Sequence, residues 1–183
     1  MQPREIVLPI TQPETEWIDG RPVQKMSPTF DHARVQAVLV VWLDAWVRGR
    51  GVIGTEWRFR IGAPGEPLRP LIPDVAFVSA ARLRGISREE LQVPAFAPTV
   101  VVEILSPGDR PSDLASKTAT YLAAGSELVV VIDPASRTLV FHDSLGRSTF
   151  AGDAIVSHPA LPDLSLPLAA FFREALDLPF EPI

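Results

Sequence analysis

The sequence predicts an α/β (or α+β) fold with a mixed β-sheet flanked by helices. Two apolar runs, 99–105 and 128–132, are typical of strands buried on both faces. The segment between them has the pattern of a helix, which predicts a crossover that places two parallel strands at the centre of the sheet. A third observation is the amphipathic repeat after Thr29, which predicts a long helix.

In the N-terminal half, turn and cap residues separate the predicted elements. Asp19-Gly20 lies between two short β-prone stretches and indicates a hairpin within an N-terminal extension, residues 1–28. Thr29 is a candidate N-cap, and Gly49 and Gly51 mark the end of the helix. The elements that follow are a strand over 57–61, a loop over 62–73 and a strand over 75–78.

In the C-terminal half, the two buried strands are expected between shorter elements. Prolines and glycines mark most of the boundaries. The predicted elements are a short helix within 82–91, a strand over 99–105, a helix over 112–124, a strand over 128–132, edge strands over 139–142 and 150–156, and a final helix over 168–176.

Composition limits the possible classes of protein. A chain of 183 residues fits one domain, 1–183, and buries a continuous core. There is no cysteine, so disulfides and thiolate metal sites are excluded. No apolar run is long enough to span a bilayer, and we expect a cytoplasmic protein with no membrane partner. The net charge of -5 argues against a broad basic face for duplex DNA, although bound metal would supply local positive charge.

Two acidic residues on strands are the first candidates for chemistry. Glu103 is the lone charge in an apolar strand, where burial requires a partner such as a metal ion or an amine. Asp74 follows Pro73 at the start of another strand. Carboxylates on neighbouring strand ends form a hard oxygen site that suits Mg²⁺ or Mn²⁺. The alternatives are a buried ion pair for Glu103 and a loop cap for Asp74.

Lys117 is the third candidate, in the helix after the Glu103 strand. Asp113 and Tyr121 lie one turn before and one turn after it on nearly the same face. An exposed Asp–Lys pair is the plainer interpretation. However, the crossover lays this helix across the sheet, so a long lysine side chain can bring its ammonium to Glu103 and orient an attacking water.

A series of short motifs extends in order over nearly the whole chain. The motifs are Glu16-Trp17-Ile18-Asp19-Gly20, Met26-Ser27-Pro28, His32, Pro73-Asp74-Val75, Val102-Glu103-Ile104-Leu105-Ser106-Pro107, Asp113, Lys117, Tyr121, Gly125, Asp133-Pro134 and Leu161-Pro162-Asp163-Leu164. Each motif is weakly specific, but in this order and spacing they resemble the Uma family of restriction endonucleases, in the PD-(D/E)XK nuclease superfamily.

The resemblance implies a restriction-endonuclease-like core, a homodimer and hydrolysis of DNA phosphodiester bonds with Mg²⁺ or Mn²⁺. Asp74 and Glu103 would hold the cation, with the Ile104 carbonyl as a further ligand. The superfamily pattern places a lysine two residues after the glutamate, where this chain has Leu105. The family supplies the amine from the following helix, which gives that role to Lys117.

Glu16 and His32 are further catalytic candidates. An N-terminal acid commonly completes such sites, and His32 lies near a helix start. The alternatives are a surface or turn position for Glu16, and a first-turn helix residue or a hydrogen-bonded core histidine for His32.

The sequence is compatible with three functions. The first is a metal-dependent DNA endonuclease, and the second is a catalytically inactive dimeric module for binding or assembly. The third is a metal-dependent hydrolase of small phosphoesters. Convergence of Asp74, Glu103 and Lys117 on one open cleft would favour a catalytic function over the inactive module. Arg58, Arg60 or Arg82 flanking a groove would indicate a polymeric substrate.

Overall fold

The computed structural model describes residues 4–178 of the chain. Twelve strands and four α-helices follow one another in that range. The strands are β1 (Thr15–Ile18), β2 (Arg21–Gln24), β3 (Gly51–Thr55), β4 (Phe59–Ile61), β5 (Arg69–Leu71), β6 (Val75–Ser79), β7 (Val100–Ile104), β8 (Leu128–Asp133), β9 (Thr138–Asp143), β10 (Gly146–Phe150), β11 (Ile155–His158) and β12 (Leu161–Pro167). The helices are α1 (Phe30–Val47), α2 (Ala80–Leu83), α3 (Pro111–Ala123) and α4 (Leu168–Leu176), with a 3₁₀ turn at Glu90–Gln92.

A six-stranded mixed sheet with the order β10-β9-β8-β7-β6-β3 is the centre of the fold. Strands β7 and β8 pair in parallel, and all their neighbours in the sheet run antiparallel. These are the two central strands expected from the apolar runs, and α3 connects them. The predicted fold class, a mixed sheet flanked by helices, is confirmed.

The two faces of the sheet bury different sets of side chains because neighbouring residues of a strand point to opposite faces. Val100, Val102 and Ile104 of β7 belong to the core cluster that includes residues of α1 and α4. Val101 belongs to the second cluster, together with Tyr121 of α3. Glu103 has the same parity as Val101, so strand geometry directs it towards the α3 side.

The N-terminal elements follow their local sequence signals. The hairpin of β1 and β2 turns at Asp19 and Gly20, which both have positive φ, as tight two-residue hairpins require. Helix α1 begins after Thr29, whose side chain accepts a hydrogen bond from the backbone N–H of His32.

Three strands, β3, β5 and β12, lie where no strand was predicted from the sequence. Strand β12 pairs with β11 in a two-stranded sheet. The segment 62–73, predicted as a loop, contains β5, and Pro70 pairs with Arg60 of β4 in a two-stranded ribbon. Such a ribbon tolerates proline because each strand has an unpaired edge. Strand β3 follows the end of α1, where Gly51 indicated only a helix stop, and it forms an edge of the main sheet.

Three predicted boundaries were wrong. The helix predicted within 82–91 is interrupted at Gly85, which has positive φ and separates α2 from the 3₁₀ turn. The strand predicted over 150–156 is broken at Gly152, also at positive φ, between β10 and β11. In the segment 57–61, strand pairing begins only at Phe59.

Within residues 4–178, none of the helices combines the length and the apolar character that a membrane span requires.

Candidate active site

Two adjacent strands bring Asp74 and Glu103 together. The antiparallel register of β6 and β7 pairs Val75 with Val102, so the next positions outward are Asp74 and Glu103. Directly opposed residues of an antiparallel pair point to the same face. Both side chains are buried and line one cavity. The backbone N–H of Ile104 donates to Oδ2 of Asp74 over 2.6 Å, which fixes the carboxylate against β7.

Helix α3 supplies the ammonium that the sequence analysis assigned to this site. Lys117 is 6% exposed, and its Nζ lies 2.7 Å from Oε2 of Glu103 and 3.0 Å from a carboxylate oxygen of Glu16. The exposed Asp–Lys pair considered above does not form, because Asp113 binds Arg21 of β2 instead, at 2.6 Å.

Glu16 and His32 also reach the cavity. In β1, Glu16 and Ile18 point inward, and Oε1 of Glu16 accepts the backbone N–H of Ile72 over 2.7 Å. In the first turn of α1, His32 places Nε2 3.3 Å from Oδ2 of Asp74. The five side chains predicted as catalytic therefore lie together, although they come from five separate segments. Ile104 also lines this cavity.

A second ammonium in the site, the partly buried one of Lys25, was not predicted from the sequence. Its Nζ lies 2.8 Å from Oδ1 of Asp74, 2.6 Å from Oε2 of Glu56 and 3.0 Å from the carbonyl oxygen of Ile72. Gln36 of α1, also missed, donates to the Asp74 carbonyl over 2.7 Å. One signal could have identified Lys25: it and Lys117 are the only lysines in the chain.

The charges in this cluster determine its protonation. Burial raises the pKa of Glu103 to about 8, although the positive charge of Lys117 lowers it. The negative charges of Asp74 and Glu16 contribute to the rise. Burial by itself would lower the pKa of Lys117, but Glu103 and Glu16 hold it above its usual range. Burial would also raise the pKa of Asp74, but the hydrogen bond from His32 and the charge of Lys25 hold it well below its usual range. Lys117 therefore stays charged, and Glu103 is the carboxyl that takes up a proton most readily.

The cavity is open and large, with a volume of about 1080 Å³. Its basic lining residues are Arg21, Lys25, Arg110 and Lys117, together with His32. This volume is at or above the upper end of typical small-molecule pockets, about 300–1,000 Å³.

The arginines proposed above as groove markers are not part of the cavity lining. Arg58 pairs with Glu14, Arg60 with Glu5 and Arg82 with Glu127. These ion pairs lie at the surface or are partly buried, so the three arginines give no support for a polymeric substrate.

The donor atoms are compatible with a hard divalent cation. Oε1 of Glu103 is buried and has no hydrogen-bond donor among the described residues, which is a costly state for a carboxylate oxygen. Within residues 4–178, no group of three or more acidic or histidine side chains is arranged as a complete metal site. Mg²⁺ characteristically takes one or two carboxylates and completes its shell with water and phosphate oxygens. The pair Asp74 and Glu103 fits that requirement.

Comparisons with known proteins identify the family and the fold of this chain. The Uma2 family, described as "Putative restriction endonuclease", matches residues 7–169. A crystal structure of "a putative nuclease belonging to DUF820" from Anabaena variabilis superposes with a TM-score of 0.82. It is 25% identical to this chain, and the match covers 92% of this chain and 95% of that one. No curated protein matches. Because the family match extends over most of its length, the chain belongs to the Uma2 family of restriction-endonuclease-like proteins.

Proposed function

We propose that this protein is a divalent-cation-dependent endonuclease that hydrolyses DNA phosphodiester bonds, acting as a homodimer in the cytoplasm. The single observation that carries the proposal is the position of Lys117, buried between Glu103 and Glu16 beside Asp74 in one open cavity. A buried ammonium with two carboxylate partners is costly to build, and it is expected where a function requires it.

In this proposal Asp74 and Glu103 hold Mg²⁺ or Mn²⁺, with the Ile104 carbonyl as a further ligand. The cation would polarise the phosphodiester and neutralise the charge that develops on it. Lys117 is held in its charged form, so it donates hydrogen bonds and cannot act as a base. Its ammonium orients the attacking water and stabilises negative charge near the phosphorus.

Glu16 and His32 act as positioning residues. Glu16 receives the backbone N–H of Ile72 on one oxygen and the Lys117 ammonium on its carboxylate, which fixes the direction of the ammonium. His32 lies against Oδ2 of Asp74, the oxygen that also accepts the Ile104 N–H. Both contacts are made to Oδ2, whereas Oδ1 of Asp74 accepts from the Lys25 ammonium.

A plasmid-nicking assay with Mg²⁺ or Mn²⁺ at low salt tests the proposal. Wild type is expected to convert supercoiled plasmid to nicked and linear forms, and Glu103→Gln to lose that activity. Glu89→Gln is the matched control, because Glu89 is exposed and lies outside the cavity lining. Absence of cleavage by wild type under all cation conditions, with a folded protein, would favour the inactive binding module. Light scattering of the same preparation checks the homodimer.

A further inference from the structure

The chain places both of its lysines in one site and uses arginine at every other position that carries a permanent positive charge. Lys117 has a role in the proposed reaction, but Lys25 does not. Lys25 follows β2 directly, and its backbone N–H donates to the Glu14 carbonyl over 2.8 Å. The backbone position is therefore fixed, while the four-carbon side chain can change rotamer.

The ammonium of Lys25 occupies a position suited to a metal ion. Three oxygen atoms surround it at 2.6–3.0 Å, from Glu56, Asp74 and the Ile72 carbonyl. On Asp74, Oδ2 already accepts the Ile104 N–H, with His32 beside it. Oδ1 is the remaining oxygen of that carboxylate, and Lys25 holds it.

The two carboxylates that hold Lys25 differ in exposure. The Asp74 side chain is 4% exposed, whereas that of Glu56 is 45% exposed. Glu56 also has φ +50, a left-handed conformation that costs a non-glycine residue about 1 kcal/mol or more. Strained residues of this kind cluster at active sites and ligand-binding positions, and here the Glu56 side chain contacts Lys25 and Gln36.

We propose that Lys25 is a built-in counter-cation, whose ammonium competes with the divalent cation for Oδ1 of Asp74 and stays paired with Glu56 when displaced. This inference rests on the proposed metal site at Asp74 and Glu103. Lys25 stabilises the cluster of buried carboxylates while no metal is bound, and it thereby lowers the affinity of the site for metal. The cost of displacement is limited because Glu56, at the cavity rim, remains a partner.

Mn²⁺ titration of the full-length chain by calorimetry tests the competition. Lys25→Met is expected to bind Mn²⁺ roughly tenfold more tightly than wild type, or more, because a unit positive charge is removed within a few ångströms of the cation. Lys25→Arg keeps the charge and is the matched control, expected to bind no more tightly than wild type. A merely structural role for Lys25 would lower affinity when the residue is replaced. Equal or weaker binding by Lys25→Met would overturn the inference.

The same titration separates this inference from the proposed function. Binding by wild type that is lost in Glu103→Gln supports the metal site, and unchanged affinity in Lys25→Met then overturns the competition alone. Absence of Mn²⁺ binding by wild type would overturn both the proposed metal site and the competition by Lys25.

Amine-selective labelling of wild type provides a second measurement that does not require a folded variant. Peptide mass spectrometry can follow Lys25 and Lys117 separately, since they are the only lysines. Saturating Mn²⁺ is expected to raise labelling of Lys25 severalfold. Lys117 stays paired with Glu16 and is therefore expected to remain protected from the reagent. Labelling of Lys25 that is unchanged or reduced by Mn²⁺ would contradict displacement.

Discussion

The charged side chains of the site are not the residues that would make the folded protein most stable. Glu103 has one oxygen paired with Lys117 and one with no donor among the described residues, and both atoms are buried. Apolar residues of similar volume would often fold at least as stably at such positions. The proposed binding of a cation therefore explains these buried charges better than a contribution to the stability of the fold does.

Removal of the Lys117 ammonium should destabilise the protein. Lys117→Met leaves Glu16 and Glu103 buried without their shared counter-charge, and breaking such a pair typically costs about 3 kcal/mol or more. Urea denaturation in EDTA measures the free energy of unfolding. Arg88→Met, at an exposed position, is the control and should change that free energy by no more than about 0.5 kcal/mol. A Lys117→Met variant as stable as wild type would contradict the buried ion pairs.

Different signals predicted the residues of the site. Asp74, Glu103 and Lys117 were predicted from their places on two strands and the crossover helix, and Glu16 and His32 as residues that commonly complete such sites. Glu103 is the only charged residue in its strand, and that contrast indicated a partner. Lys25 gives no such contrast, because polar and apolar residues are mixed around it at the end of a hairpin. Its burial depends on the packing of that hairpin over the cavity, which local pattern does not show.

At the scale of elements, the register between β6 and β7 determines where the carboxylates meet. A shift of one residue would move Asp74 or Glu103 to the opposite face. Strand β3 supports β6 from the other side, and its pairing depends on Gly51 opposite Ser79.

Replacement of Gly51 by alanine should weaken this edge of the sheet. A Cβ there would lie 2.1 Å from the Val78 carbonyl oxygen, a backbone atom that cannot move without disturbing β6. Overpacking of this kind typically costs about 1–3 kcal/mol, measurable as a lower urea midpoint. Gly54→Ala is the matched control in the same strand, since its nearest contact is the Trp57 side chain at 3.1 Å, which can shift. Equal stability of Gly51→Ala and wild type would contradict the close approach.

Helices with a clear hydrophobic periodicity or cap were predicted from the sequence. Short strands that are defined only by pairing with a neighbouring strand were not. The bounds of α4 and the cap of α1 follow from helical periodicity and Thr29. Strands β3 and β5 are short and contain glycine or proline, so only their pairing makes them strands. Sequence patterning alone has no information on such pairing.

At the scale of the whole molecule, the net charge of -5 and the pairing of surface arginines limit contact with DNA phosphates. Arg21 and Arg110 are the arginines that line the cavity, and Arg21 already pairs with Asp113. A protein that contacts few phosphates shows a weak salt dependence of binding.

DNA binding should therefore depend only moderately on salt. With about two phosphates neutralised, the logarithm of affinity should fall with the logarithm of salt concentration with a slope of about -2. Fluorescence anisotropy in EDTA, where cleavage is prevented, measures the slope, and Arg110→Gln should reduce its magnitude by about one. A slope steeper than about -5 would indicate a basic face outside the cavity.

The most direct test of the account is the single-turnover rate of plasmid cleavage in Mn²⁺ for Glu103→Gln, Lys117→Met and the double variant. Residues that act as one unit lose activity non-additively. We predict that each single variant loses activity by about 10²-fold or more, and that the double variant is no slower than the slower single variant. Full activity in Lys117→Met, or losses that multiply in the double variant, would contradict the claim that the two residues form one catalytic site.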